Sequence, residues 1–263
     1  MSKEIKELQA IEAERPLLIG HFKIAPKMIS IDAPDGSGKS TFSKVVGKYI
    51  NEKLGFSDVV LVRPTYLNQS AEGLRLEEEL KRRIDIKPNS YEHNNYFMAT
   101  MAANYKTVIS PILERGGIVV LDSSEIRSIA FMLHNGEPSA IESTLNWVES
   151  GKATNNTFSG IRVRLITSPH DCLHNLFAKG KLDSGDPKSI NESIQRNICY
   201  EKAFLHVKSI QNHESSVWID IENPSYRNHE TLIGHLNEVI EQKLEPTLLK
   251  MLNSRSNFVE NGK

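Results

Sequence analysis

The hydrophobic positions of this chain form short apolar runs, separated by longer stretches in which apolar residues recur at helical spacing. The apolar runs predict strands at 28–33, 58–63, 117–122, 161–167 and 216–221. The stretches between them predict helices at about 39–53, 71–84, 91–114, 138–150, 169–179, 190–209 and 227–243. This alternation predicts an α/β domain with a doubly wound, five-stranded parallel sheet.

The two ends of the chain lie outside this alternation. Residues 1–26 predict an N-terminal extension, whose apolar residues would pack on the domain or on a partner subunit, so a homodimer is one expectation. Residues 27–245 form the predicted main domain, and 246–263 a C-terminal helix and tail. The polar, glycine-bounded stretch 151–160 predicts a surface loop, and 180–188 has the turn residues and lysines of a mobile lid.

A glycine-rich turn follows the first predicted strand. It fits the phosphate-binding pattern G-x-x-x-x-G-K-[ST], except that Ala33 stands in the place of the first glycine, which is tolerable if its φ is negative. Backbone amides and the positive end of the next helix would hold phosphates, and Lys39 would add a mobile charge. The predicted nucleotide-binding residues are Asp35, Gly36, Ser37, Gly38, Lys39, Ser40 and Thr41. The chain is therefore expected to bind a nucleotide in a P-loop.

A carboxylate closes the third apolar strand. Asp122 should project from the carboxyl edge of the sheet, where such sheets bind ligands. There it would hold Mg²⁺ together with the hydroxyl of Ser40, and the alternative is a carboxylate that only caps the next helix.

Composition narrows the class of protein. The chain has 263 residues, 39% of them hydrophobic and 25% charged, with a formal net charge of −1. This balance predicts no nucleic-acid or membrane partner. Two cysteines, Cys172 and Cys199, form no disulfide framework, and no apolar run is long enough to cross a bilayer. We therefore expect a soluble, cytoplasmic protein.

Several of these segments resemble the thymidylate kinases. The run 35–41 resembles their D-G-x-G-K-S-T loop, and 113–122 resembles their helix-glycine-strand segment that leads into an Asp-Arg-aromatic motif. Arg63-Pro64 resembles their turn after the second strand. The resemblance covers about residues 28–243 and implies a P-loop kinase that uses ATP and Mg²⁺.

The resemblance also implies roles for individual residues. The expected catalytic residues are Lys39, Asp122 and Arg127, and the expected metal ligands are Ser40 and Asp122. The expected acceptor-binding residues are Asp35 for a sugar hydroxyl, Arg63 for a phosphate, and Phe97 and Tyr105 beside the base.

Three arginines of that family are replaced in this chain. Ser123 follows Asp122, Met101-Ala102-Ala103 stands in the helix where an arginine should reach the acceptor phosphate, and Ser184 stands in the lid. Arg127 could replace one lost charge by pointing back to the site. Four further cations could serve from the lid side, although a solvated surface charge is the favoured interpretation of each: Lys179, Lys181, Lys188 and Arg196.

The expected function is transfer of the γ-phosphoryl group of ATP to a nucleoside monophosphate similar to thymidine monophosphate. Two alternatives stay open. One is a kinase of a nucleoside or another hydroxyl-bearing small molecule, and the other is a nucleotide-binding protein without transfer activity.

Overall fold

The computed structural model describes residues 22–64, 69–180, 182, 186–211, 216–223 and 229–253. Its centre is a parallel sheet with the strand order β2-β3-β1-β4-β5, which confirms the predicted doubly wound, five-stranded architecture. The strands are β1 (Lys23–Asp32), β2 (Val59–Val62), β3 (Ile118–Asp122), β4 (Thr157–Ile166) and β5 (Val217–Glu222).

Helices cover both faces of this sheet. They are α1 (Lys39–Glu52), α2 (Ala71–Arg82), α3 (Tyr91–Asn104), α4 (Ser110–Glu114), α5 (Glu125–Asn135), α6 (Pro138–Glu149), α7 (Pro169–Ala178), α8 (Ile190–Ile210), α9 (His229–Val239) and α10 (Glu245–Asn253). A π-helical turn at Tyr105–Ile109 joins α3 to α4, and another at Ile240–Leu244 joins α9 to α10. The predicted helix 91–114 is therefore interrupted by a π turn.

Two strands are longer than predicted. Strand β4 begins at Thr157, so the prediction of a surface loop over 151–160 is wrong for its last four residues, which are buried. These residues pair with the first residues of β1, which begins at Lys23 inside the predicted extension. The β1–β4 pairing shifts register between Ala25 and Ile29 around Pro26. Proline has no amide hydrogen to donate, and strands accommodate it at such irregularities.

The sequence interpretation missed one helix, α5. It follows β3 directly, and the hydroxyl of Ser124 caps it by accepting a hydrogen bond from the amide of Ile126 at 3.3 Å. Helix α5 packs against α8 on the same side of the sheet as α3 and α6. This placement puts the residues after Asp122 next to those of α8.

A separate apolar core lies on each face of the sheet. On one face Phe42, Val46 and Ile50 of α1 pack with residues of β1, β4 and α9. On the other face the core includes Met98, Met101 and Tyr105 together with residues of α5, α6 and α8. The chain leaves β1 along the first face and β3 along the second, so the carboxyl ends of these neighbouring strands form a switch point of the kind that binds ligands.

No helix of the described residues is long and apolar enough to cross a membrane.

Candidate active site

The glycine-rich turn connects β1 to α1 at this switch point. Gly36 and Gly38 both have φ of 84°, a conformation that glycine adopts without steric cost. A Cβ on Gly36 would lie 2.1 Å from the carbonyl oxygen of Cys172, so the close packing of α7 also requires glycine there. Positive φ at described non-glycine residues occurs only at three asparagines, so Ala33 has the negative φ that its substitution for glycine requires.

Side chains from the far half of the chain hold the turn in place. The amide nitrogen of Asn175 donates to the carbonyl of Gly36 at 2.9 Å, and that of Asn223 donates to the carbonyl of Ser37 at 2.6 Å. Helix α1 begins at Lys39, and the first four amides of a helix have no acceptor within it. These constraints give the turn a fixed shape with helical amides at its end, as a phosphate cradle requires.

Charged side chains from three helices converge on Asp35. Its Oδ1 accepts from Lys39 Nζ at 2.9 Å, and its Oδ2 accepts from Arg196 Nη1 of α8 at 2.8 Å. The charge of Arg127, on α5, also acts on this carboxylate. Burial by itself would raise the pKa of Asp35, but the three cations hold that pKa well below its usual range. Asp35 is therefore an ionised carboxylate at the mouth of the turn.

The structure shows how far two of these cations, Arg196 and Arg127, are buried. Arg196 is only 5% exposed, so its prediction as a solvated surface charge is wrong. Arg127 is half-buried and its charge acts on Asp35, while its catalytic role stays a prediction.

Asp122 lies one strand away from the turn. It is paired with Ile31 of β1 in the sheet register, and its buried carboxylate accepts from Arg63 Nε at 2.9 Å. The carboxylate of Asp122 and the hydroxyl of Ser40 are hard oxygen donors of the kind that Mg²⁺ prefers, so these residues fit the expected metal. The described residues contain no cluster of three or more histidine, cysteine or acidic side chains suited to a metal.

A second charged network is buried directly beneath the site. Asp32 accepts from the amide of Ser124 at 2.7 Å and from its hydroxyl at 2.8 Å. Arg162 Nη2 donates to Glu125 Oε1 at 2.5 Å, and both side chains are fully buried. The sequence interpretation did not include this network, although two charged residues within predicted central strands, Asp32 and Arg162, are a signal that could have indicated it.

Comparison with known proteins finds thymidylate kinases among the proteins similar in sequence to this chain. No protein-family model matches the chain. The chain is 24% identical over 184 residues to thymidylate kinase from Blochmanniella pennsylvanica, covering 70% of this chain and 85% of that protein. It is 31% identical over 137 residues to thymidylate kinase from Exiguobacterium, covering 49% of this chain and 60% of that protein.

The fold agrees with these relatives. The crystal structure of thymidylate kinase from Ehrlichia chaffeensis superposes with a TM-score of 0.53 at 16% identity, covering 83% of this chain and 98% of that one. In sequence and in fold, the chain is similar to thymidylate kinases.

The chain differs from the expected thymidylate kinase pattern most on the acceptor side. An arginine is expected within Met101-Ala102-Ala103. Met101 is fully buried in the apolar core, Ala102 and Ala103 are partly buried, and Ser123 is buried as well. Tyr105, expected beside the base, is also 0% exposed, and its ring is part of the core. Phe97 is half-buried, with its ring 5.0 Å from that of His93.

The expected lid of this kinase-like chain lies partly outside the described residues. Residues 181 and 183–185, including Ser184, are not described. Helix α8 follows the expected lid, and Ser189 is the residue that caps its start. The hydroxyl of Ser189 accepts a hydrogen bond from the amide of Glu192 at 3.2 Å. This cap fixes the start of the helix that carries Arg196 to the site.

Proposed function

We propose that this chain is an ATP- and Mg²⁺-dependent phosphotransferase that transfers the γ-phosphoryl group of ATP to a nucleoside monophosphate similar to thymidine monophosphate. The observation that carries the proposal is the convergence of Lys39, Arg127 and Arg196 on Asp35 at the end of a P-loop. Phosphoryl transfer requires positioning and neutralisation of charge more than covalent chemistry from the protein, and this cluster supplies both. The names of the relatives support the same class of reaction.

On the donor side, the backbone amides of 36–41 would bind the phosphates of ATP, and Lys39 would turn from Asp35 towards the transferred phosphoryl group. Ser40 and Asp122 would hold Mg²⁺, which when bound neutralises charge on the phosphate oxygens. Arg63 would stay within reach of the Asp122 carboxylate, which it contacts at 2.9 Å.

On the acceptor side, Asp35 would accept a hydrogen bond from a sugar hydroxyl. Arg63, with a side chain 34% exposed, would reach the acceptor phosphate, and the half-buried Phe97 would contact the base. Arg127 would add positive charge next to Asp35. Tyr105 is left out of this assignment because its side chain is enclosed in the core.

A second candidate has one observation in its favour. The segment Met101-Ala102-Ala103 carries no cation where the resemblance implies an arginine for the acceptor phosphate, and an uncharged nucleoside or another small alcohol has no need of one. A kinase of that kind would use the same donor side. The cytoplasmic location and the homodimer stay predictions.

An assay of ADP release across a panel of acceptors tests the proposal. The panel contains nucleosides, their monophosphates including thymidine monophosphate, and modified pyrimidines, with the Lys39→Ala variant as the control. We expect ADP and a phosphorylated product with at least one nucleoside monophosphate. Turnover of nucleosides alone would favour the second candidate, and ATP binding without product from any acceptor would indicate a protein without transfer activity.

A further inference from the structure

Helix α8 sends one buried side chain into the P-loop. Arg196 lies 161 positions from Asp35 in sequence, yet its Nη1 donates to Asp35 Oδ2 at 2.8 Å. Its side chain is 6% exposed, and its guanidinium carbon is 5.8 Å from the centre of the Phe131 ring. An arginine packed in this way has few alternative rotamers, so it holds its acceptor in a defined direction.

The two oxygens of Asp35 have different partners. Oδ1 accepts from Lys39 at 2.9 Å and Oδ2 from Arg196 at 2.8 Å. A P-loop lysine acts on the phosphates of the nucleotide, so binding of ATP draws Lys39 away from Oδ1. Arg196 donates to the other oxygen and therefore does not need to move when Lys39 does.

We propose that Arg196 is a positioning residue for Asp35, which keeps this carboxylate ionised and correctly oriented towards the acceptor while Lys39 binds phosphate. The inference rests on the proposed function, because it assigns Asp35 to the acceptor. It also places on α8 a charge that the family resemblance implies in the lid, where Ser184 stands instead of an arginine.

The surroundings of Asp35 support this role. Burial acts to raise the pKa of its carboxyl group, and the positive charges oppose that effect. The charged and titratable groups that face it are Lys39 of α1, Arg127 of α5, Cys172 of α7, and Arg196 and Tyr200 of α8. Once phosphate binds Lys39, the two arginines are the main charges that keep the pKa of Asp35 low against the effect of burial. Removal of Arg196 should therefore let this pKa rise.

The test compares Arg196→Gln and Arg196→Lys with the control Arg115→Gln. Arg115 likewise pairs with a single carboxylate, and donates two hydrogen bonds to Asp58 at 2.7 and 3.1 Å. This pair lies at the amino end of β3, away from the site. Steady-state kcat and KM are measured for the best acceptor over about pH 5 to 8, where loss of the ionised carboxylate is detectable. Affinity for a non-hydrolysable ATP analogue is measured by calorimetry, and folding by the thermal transition.

We expect Arg196→Gln to lower kcat/KM for the acceptor about ten- to hundredfold, the range for loss of a charge-assisted hydrogen bond. The loss should grow as the pH falls, because a raised pKa leaves less of the Asp35 carboxylate ionised. Affinity for the ATP analogue should stay within about threefold of the wild type, and Arg196→Lys should recover part of the activity.

An equal loss at every pH, or a loss no greater than that of Arg115→Gln, would overturn the inference. If Arg196→Gln does not fold, Arg196→Lys carries the same test, because its pH profile must lie between those of the wild type and an Asp35→Asn variant. Failure of the wild type to phosphorylate any acceptor would instead contradict the proposed function, so the two failures are distinguishable.

Discussion

Asp32 is the last residue of β1, and Asp35 lies three residues later in the turn that follows. Their surroundings shift the pKa of the two carboxyl groups in opposite directions. Asp32 is 2% exposed and accepts two hydrogen bonds from Ser124, and burial raises its pKa to about 6. Asp35 is also largely enclosed, yet contact with Lys39 and Arg196 holds its pKa well below its usual range.

The difference separates a structural carboxylate, Asp32, from the one proposed to be functional, Asp35. Asp32 ties the end of β1 to the start of α5, and the nearby Arg162 is engaged with Glu125 at 2.5 Å. Asp35 has its own cations and stays 19% exposed, so a ligand can reach it. In this chain the convergence of cations on a carboxylate marks the candidate phosphate site, and burial alone does not.

The largest effect should come from breaking the buried network. Arg162→Met should lower the free energy of unfolding by about 3–5 kcal/mol, because it leaves Glu125 as a buried charge without its partner. Denaturant unfolding at neutral pH measures this, with Arg115→Gln as an exposed control expected to change the free energy of unfolding far less, because solvent screens its ion pair. Equal losses in both variants would show that burial of the Arg162–Glu125 pair carries no special cost.

Next in size is the loss of the P-loop lysine. Lys39→Ala should lower the turnover rate by about 10²–10³, or about 3–4 kcal/mol in activation free energy, because a charge directed at the transferred phosphoryl group is lost. Rates are measured at saturating ATP, with circular dichroism as the check on folding. Activity close to that of the wild type in a folded Lys39→Ala protein would remove the P-loop assignment.

The two aspartates can be compared directly by stability at different pH. Asp32 has a pKa of about 6 when folded and 3.8 as a reference, so its contribution to stability is complete below 3.8 and is lost as the pH rises through 6. This difference is worth about 3 kcal/mol. Asp32→Asn should therefore raise the free energy of unfolding at pH 8 by up to about 3 kcal/mol and flatten its change between pH 4 and 6.

Asp35→Asn should act in the opposite direction. The pKa of Asp35 is lowered on folding, so its contribution is present above the usual pKa of a carboxyl group and is lost only in strong acid. Removing the charge should destabilise the protein at pH 8 by about 1–3 kcal/mol, since Lys39 and Arg196 lose their shared acceptor. Urea titrations at several pH values measure both variants. A stabilised Asp35→Asn, or a destabilised Asp32→Asn, would reverse the assignment.

The smallest effect concerns the acceptor. Arg127→Ala should lower kcat/KM for the acceptor by about one to two decades, with little change in ATP affinity, because the charge near Asp35 is lost. With Met101 and Ser123 in place of arginines, thymidine monophosphate should be a poor acceptor compared with another member of the panel. Efficient use of thymidine monophosphate that Arg127→Ala leaves unchanged would mean that neither expectation holds.

The local sequence determined the type of fold and the donor half of the candidate site. The spacing of apolar runs located all five strands, and the pattern at 36–41 located the turn before α1. Both signals depend on backbone conformations that a few neighbouring residues decide, such as the positive φ of Gly36 and Gly38. They can be predicted without knowledge of the rest of the chain.

Only the tertiary structure decided how distant residues meet. The sequence predicts a loop for the stretch from Thr157 to Gly160. In the structure this stretch belongs to β4, because the first residues of β1 pair with it. Arg196 reads as a surface charge, but the packing of α8 against α5 and α7 brings its guanidinium to Asp35. Tyr105 is enclosed for the same kind of reason, since its environment comes from helices elsewhere in the chain. The physical cause is that burial and ion pairing depend on which elements pack together, and a local residue pattern does not encode that choice.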